Sequence, residues 1–185
     1  MERQQSQKDK SLAWFKLADL IARGEREKAL SVFRLLAHSL PDRAYALQLE
    51  GDILWFLEDK NSTEKYKQAA FLYQSEKRWV DAIAVYEHLL TQEPDSYDIL
   101  SALLIFYAMI DWQEKFHERY HQLVVLFNNR TIDEFQLEKA VKDVVDIVAE
   151  AEQEHKSAWF WQWFDEMLAD APEVLATRLS ALKRA

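Results

Sequence analysis

Two glycines and three prolines are all that this chain of 185 residues carries. Average usage is ~7% Gly and ~5% Pro, and sheets or phosphate-cradling loops need glycine wherever the backbone takes positive φ. The scarcity argues against a Rossmann fold, a P-loop, a β-sandwich or a barrel. It favours long helices joined by short turns. Apolar residues make up 49% and charged residues 30%, a globular rather than a disordered balance. A chain of this length suits one domain that buries roughly 70% of its unfolded surface.

The 32 acidic and 23 basic residues leave a formal net charge of -9. No Lys/Arg run exceeds two residues, so the footprint of a nucleic-acid binder is missing. The charge suits a basic or apolar segment of a protein partner. With no cysteine there is no disulfide framework and no thiolate site. Residues 1–10 are polar and mixed in charge, and are expected to form a disordered tail without the apolar core of a signal peptide. No run approaches ~18 apolar residues. The expectation is a soluble cytoplasmic protein with no cofactor, no membrane partner and no nucleic-acid partner.

Helical periodicity is nearly continuous after residue 10. It predicts ten helices, over 12–23, 25–39, 43–57, 62–76, 78–92, 96–109, 112–127, 132–153, 157–170 and 172–183. Gly24 falls at the first turn, and Pro41 and Pro94 stop their helices. Thr131 and Glu134 have capping-box spacing. Ser157 and Pro172 suit the starts of the last two helices.

The helices repeat in pairs. Trp79-x2-Ala82-x3-Tyr86-x2-Leu89-x4-Pro94 has the spacing of Ala29-x3-Phe33-x2-Leu36-x4-Pro41, and Phe116-x3-Tyr120-x2-Leu123 repeats it. The preceding helices share a second pattern, seen in Trp14-x2-Leu17-Ala18-x2-Ile21, Leu47-x2-Glu50-Gly51-x2-Leu54, Tyr66-x2-Ala69-Ala70-x2-Tyr73 and Leu100-x2-Leu103-Leu104-x2-Tyr107. This pattern resembles the tetratricopeptide repeat, a 34-residue helix–turn–helix. The resemblance covers residues 11–129. It implies an all-α, right-handed solenoid in which small residues such as Ala18, Gly51, Ala70 and Ala82 let helices approach. Pro41 and Pro94 are 53 residues apart rather than 34, so the repeat is expected to be irregular near 57–63, with helix 43–57 lacking an ordinary partner or sharing helix 62–76. Residues 130–185 depart from the pattern and are expected to cap the same domain with three helices.

In the family, first-helix residues that point away from the second helix line a concave surface holding a peptide or partner helix. Carried over by position, the resemblance implies Tyr45, Gln48, Asp52 and Trp55, then Lys67, Phe71 and Gln74, then Asp98, Ser101 and Met109. Positions matching the two-Lys, two-Asn clamp of chaperone-binding members lack the asparagines. The implied function is a non-catalytic interaction scaffold, in narrower form a small chaperone or assembly factor.

Two other features compete with that reading. His117-Glu118-Arg119-Tyr120-His121 is a literal HExxH, the spacing that sets two imidazoles on one helix face for zinc with the Glu as general base. A zinc-dependent hydrolase is therefore the alternative. Against it stand the charged Arg119 inside the motif and the lack of any strand to bind substrate. A buried stripe of Trp112, Phe116, Tyr120, Leu123 and Phe127 would leave His117 and His121 exposed on a solvated face. The second feature is the aromatic run containing Trp159, Trp161 and Trp163, which makes a wide apolar helix face. Docking on helix 132–153 through Leu137, Val141, Val144 and Val148 is expected, and a self-association patch is the functional option.

Overall fold

Where apolar residues recur at helical spacing, helices form. The computed structural model describes residues 2–151, 158–170 and 173–181, and every regular element among them is an α-helix. They are α1 (Glu2–Ala22), α2 (Arg26–Ala37), α3 (Arg43–Phe56), α4 (Asn61–Ser75), α5 (Trp79–Gln92), α6 (Tyr97–Met109), α7 (Gln113–Asn128), α8 (Glu134–Ala151), α9 (Ala158–Asp170) and α10 (Glu173–Ser180). α1 takes in residues 2–10 of the expected tail. The capping roles expected of Ser157 and Pro172 lie outside the described residues.

One turn recurs. Gly24, Glu58, Lys77, Asp111 and Arg130 all sit at positive φ, between 54° and 68°. Each follows a helix. The next residue's N–H donates five residues back, as in Glu25 to Leu20 at 2.9 Å, Arg78 to Tyr73 at 2.8 Å and Trp112 to Tyr107 at 3.0 Å. The left-handed residue itself donates three back, as in Lys77 to Gln74 at 3.0 Å. This is the Schellman arrangement, which satisfies carbonyls orphaned at a helix end. The partners on either side of the turn also touch. The Arg78 guanidinium lies 4.3 Å from the Tyr73 ring centroid, and Trp112 meets Tyr107 edge-on at 5.6 Å. At Gly24, Lys77 and Asp111 the turn joins successive helices across three residues, and Lys77 and Asp111 are 34 positions apart.

The start of α8 differs from expectation. Its capping box is Asp133 with Gln136, whose N–H donates to Asp133 Oδ1 at 2.8 Å while the Asp133 N–H donates back at 3.1 Å. Thr131 cannot serve, because its N–H already closes the end of α7 on Leu126.

The chain divides into two compact units, Met1–Val85 and Tyr86–Ala185, with the boundary inside α5. In the first, α1 and α2 form a hairpin whose core joins Leu17, Leu20, Ala29, Leu30, Phe33 and Leu36 to Ile53 and Leu54 of α3. α3 packs intimately on α4. Gly51 permits the approach: a Cβ there would lie 2.9 Å from the Tyr66 ring. Ala70 and Ala82 are buried as the pattern requires, but Ala18 is exposed and Leu17 takes the inward place. In the second unit α6 is apolar nearly all round and packs against α7 and α8. Amphipathic α8 buries Leu137, Val141, Val144 and Val148, and α10 lies against α8 and α9.

Candidate binding surfaces and the HExxH motif

The HExxH lies along α7, and only part of its expected setting is present. His117 and His121 are exposed. The buried stripe is different, however. Phe116, Leu123 and Leu126 are buried, Tyr120 and Phe127 are half-buried, and Trp112 is exposed because it precedes the helix as part of the turn. The buried charged member is Arg119, only 6% exposed. Its guanidinium grips Glu87 with two bonds, Nε to Oε1 at 2.9 Å and Nη2 to Oε2 at 2.7 Å. The Tyr107 hydroxyl donates to the same carboxylate at 2.6 Å. Glu118, the would-be general base, accepts from Lys115 Nζ and from Arg119 Nη1, each at 2.7 Å. The Lys115 bond, with the Arg119 charge beside it, holds its carboxyl below the usual range. A general base needs the reverse shift. Among the described residues no three His, Asp or Glu side chains gather to hold a metal ion.

The tryptophans of α9 meet aromatic residues of α7. Trp163 packs edge-on against Phe116 at 4.6 Å and Tyr120 at 4.9 Å. Trp159 meets Phe116 at 5.3 Å and donates its indole N–H to Asp111 at 2.8 Å. Phe160 and Phe164 are fully buried. His117 sits at the edge of the same cluster, 6.0 Å from Trp159. Trp159 and Trp163 are thus half-buried in intramolecular packing, and Trp161 lies against Phe160 and Phe164.

The groove residues carried over by resemblance fall on several surfaces. On α3, Tyr45, Gln48, Asp52, Trp55 and Phe56 occupy one continuous strip. Tyr45 and Trp55 are each 47% exposed and Phe56 65%. Gln48 and Asp52 at its edge accept hydrogen bonds from Tyr73 and Tyr66 of α4, both at 2.8 Å, which ties the strip to its neighbour. Asp42 fixes the first turn of α3. It accepts the Tyr45 N–H at 2.9 Å and pairs with Arg78 at 2.7 Å, and its carboxyl is held below the usual range by these partners. On α4, Lys67 and Phe71 face a shallow depression of about 410 Å³ that Glu64 also lines, while Gln74 is half-buried outside it. On α6, Asp98 is exposed and Met109 half-exposed. Ser101 is buried, and its hydroxyl donates to the Tyr97 carbonyl one turn back at 2.8 Å.

Sequence reasoning missed Arg43 and Leu47, which complete the depression from α3. The signal was present. Arg43 is followed at i+3 and i+4 by Ala46 and Leu47, so it has no helical ion-pair partner.

Compared with known proteins, the chain matches no protein-family model, no curated protein and no solved structure. No helix among the described residues is long and apolar enough to cross a membrane.

Proposed function

We propose that this chain is a non-catalytic protein–protein interaction scaffold built from tetratricopeptide-like hairpins. The observation that carries the reading is the set of large rings left open on α3 and α4. Tyr45, Trp55, Phe56 and Phe71 stand out from a hairpin whose other aromatic residues, Tyr66 and Tyr73, are buried. Rigid rings of this kind make efficient anchors, since they bring much contact area for little lost rotamer freedom. The recurring three-residue turn and its 34-residue interval support the repeat. On the α3 strip the partner is a basic or apolar segment, matched to Asp52 and to the net charge. A small cytoplasmic chaperone or assembly factor is the narrower form, with neither nucleic acid nor membrane as partner.

Affinity capture from native lysate tests this. The expected result is a protein retained by the wild type and lost when Trp55→Ala and Phe56→Ala are combined. Identical captures would overturn the assignment of the strip. The hydrolase alternative has its own test: the purified protein is expected to hold no stoichiometric zinc. Zinc bound one to one and lost in His121→Ala would sink the scaffold-only reading.

A further inference from the structure

The depression between α3 and α4 carries a charge character opposite to that of the chain. Its lining includes Arg43 and Leu47 from α3 with Glu64, Lys67, Phe71 and Leu72 from α4. A second depression of about 350 Å³ adjoins it along α3, sharing Arg43 and Leu47 and reaching His38 and Glu50. The acids in these linings are already engaged. Glu64 accepts from Gln68 Nε2 at 2.8 Å, and Glu50 pairs with Lys65 Nζ at 3.0 Å. Arg43 and Lys67 make no ion pair and no side-chain hydrogen bond among the described residues. Both stay unpaired in a chain with nine more acids than bases. Beside them Phe71, one turn on from Lys67, is 67% exposed.

From this we propose that the depression docks an acidic polypeptide segment bearing one large apolar side chain. The apolar side chain lies on Leu47, Leu72 and the Phe71 ring. Carboxylates on either side of it meet Arg43 and Lys67. Arg43 can take a carboxylate with two parallel bonds, which a basic or neutral segment could not offer. The net charge of the chain does not forbid this. Repulsion from distant carboxylates is screened beyond ~8 Å at physiological ionic strength, so the groups in contact decide the preference. The inference rests on the scaffold reading and names a second partner chemistry, distinct from that of the α3 strip.

The test is a selection from a random 12-residue peptide library displayed on phage, run against the full chain. The Arg43→Glu/Lys67→Glu and Trp55→Ala/Phe56→Ala variants are run in parallel. The wild type is expected to enrich peptides combining acidic residues with one aromatic or large aliphatic residue. Charge reversal should abolish that enrichment and weaken a selected synthetic peptide by more than ~10-fold, while Trp55→Ala/Phe56→Ala leaves it unchanged. Arg43→Gln/Lys67→Gln should give an intermediate loss, and unchanged helical circular dichroism confirms folding of these surface variants. Acidic peptides that survive charge reversal would overturn the site. Enrichment of basic or apolar peptides alone, lost in the Trp55 variant, would overturn this inference and leave the scaffold reading standing. No enrichment at all would count against both. A single-stranded oligonucleotide that binds and depends equally on Arg43 and Lys67 would replace the peptide by a polyanion and overturn it too.

Discussion

Arg119 is the residue whose role is furthest from its appearance in sequence. Inside an HExxH it reads as an intruding surface charge, yet it is buried, only 6% exposed. Its bidentate grip on Glu87 spans 32 positions, a distance that no periodicity discloses. Removing one partner of a buried pair leaves the other charge without solvent or counter-ion, which costs ~3–5 kcal/mol at full burial. Glu87 keeps 30% of its side chain in water, so Glu87→Ala is expected to destabilise by about 2–3 kcal/mol, read from urea unfolding. The double change Glu87→Leu with Arg119→Leu should cost less than the two single changes summed. Gly51 shows the opposite balance. Alanine has the better helix propensity by ~1 kcal/mol, but its Cβ would press on the Tyr66 ring. That ring is buried and pinned through its hydroxyl to Asp52, so it cannot swing aside. Overpacking costs ~1–3 kcal/mol, and Gly51→Ala is expected to lower the melting temperature on balance.

At the scale of the element, scarce glycine left four turns to residues that pay for positive φ. Glu58→Gly and Arg130→Gly should each stabilise by about 0.5–1 kcal/mol, because only the backbone conformation is relieved. Gly24→Ala should destabilise by about 1 kcal/mol for the same reason, since no atom crowds the site. Thermal melts of the three variants check both signs. The helices themselves were legible, because their apolar spacing survives in every segment and Pro41 and Pro94 mark stops. The Schellman turns were legible only at Gly24; Glu58, Lys77, Asp111 and Arg130 carry no compositional sign of a left-handed backbone. The capping box at Thr131 failed because a hydrogen bond from the preceding helix end had first claim on its N–H. Helical spacing showed that α9 has an apolar face but not which helix would receive it, since α7 and α8 both offer one. The burial of Ser101 was not legible either: α6 is buried almost all round, and a polar residue satisfied within its own helix needs no open face.

For the molecule as a whole, both units bury tyrosines, and their titration should be a shared property. Burial pushes Tyr73 and Tyr120 up to about 12, and raises Tyr66 and Tyr107 as well, with hydrogen bonds from their hydroxyls to Asp52 and Glu87 adding to the effect. The unfolded chain ionises its tyrosines near ~10. The stabilisation is therefore complete below pH ~10 and lost as pH rises toward 12, because the unfolded chain releases protons that the folded one retains. Urea midpoints at pH 8, 10 and 11 should fall in that order only beyond pH 10, less steeply in Tyr120→Phe. The candidate surface was only half legible in sequence. Residues on the α3 strip were named by their position in the repeat pattern, whereas the depression depends on how α3 and α4 are set together by Gly51.

The scaffold reading is tested most directly by a photo-crosslinking amino acid placed in turn at 56, 71 and 135. Phe56, Phe71 and Phe135 are similarly exposed, at 65%, 67% and 70%, and differ in whether they belong to the α3–α4 hairpin. Crosslinks to a distinct protein from positions 56 and 71, with none from 135, are the predicted result. Equal crosslinking from all three positions, or none from any, would contradict the account.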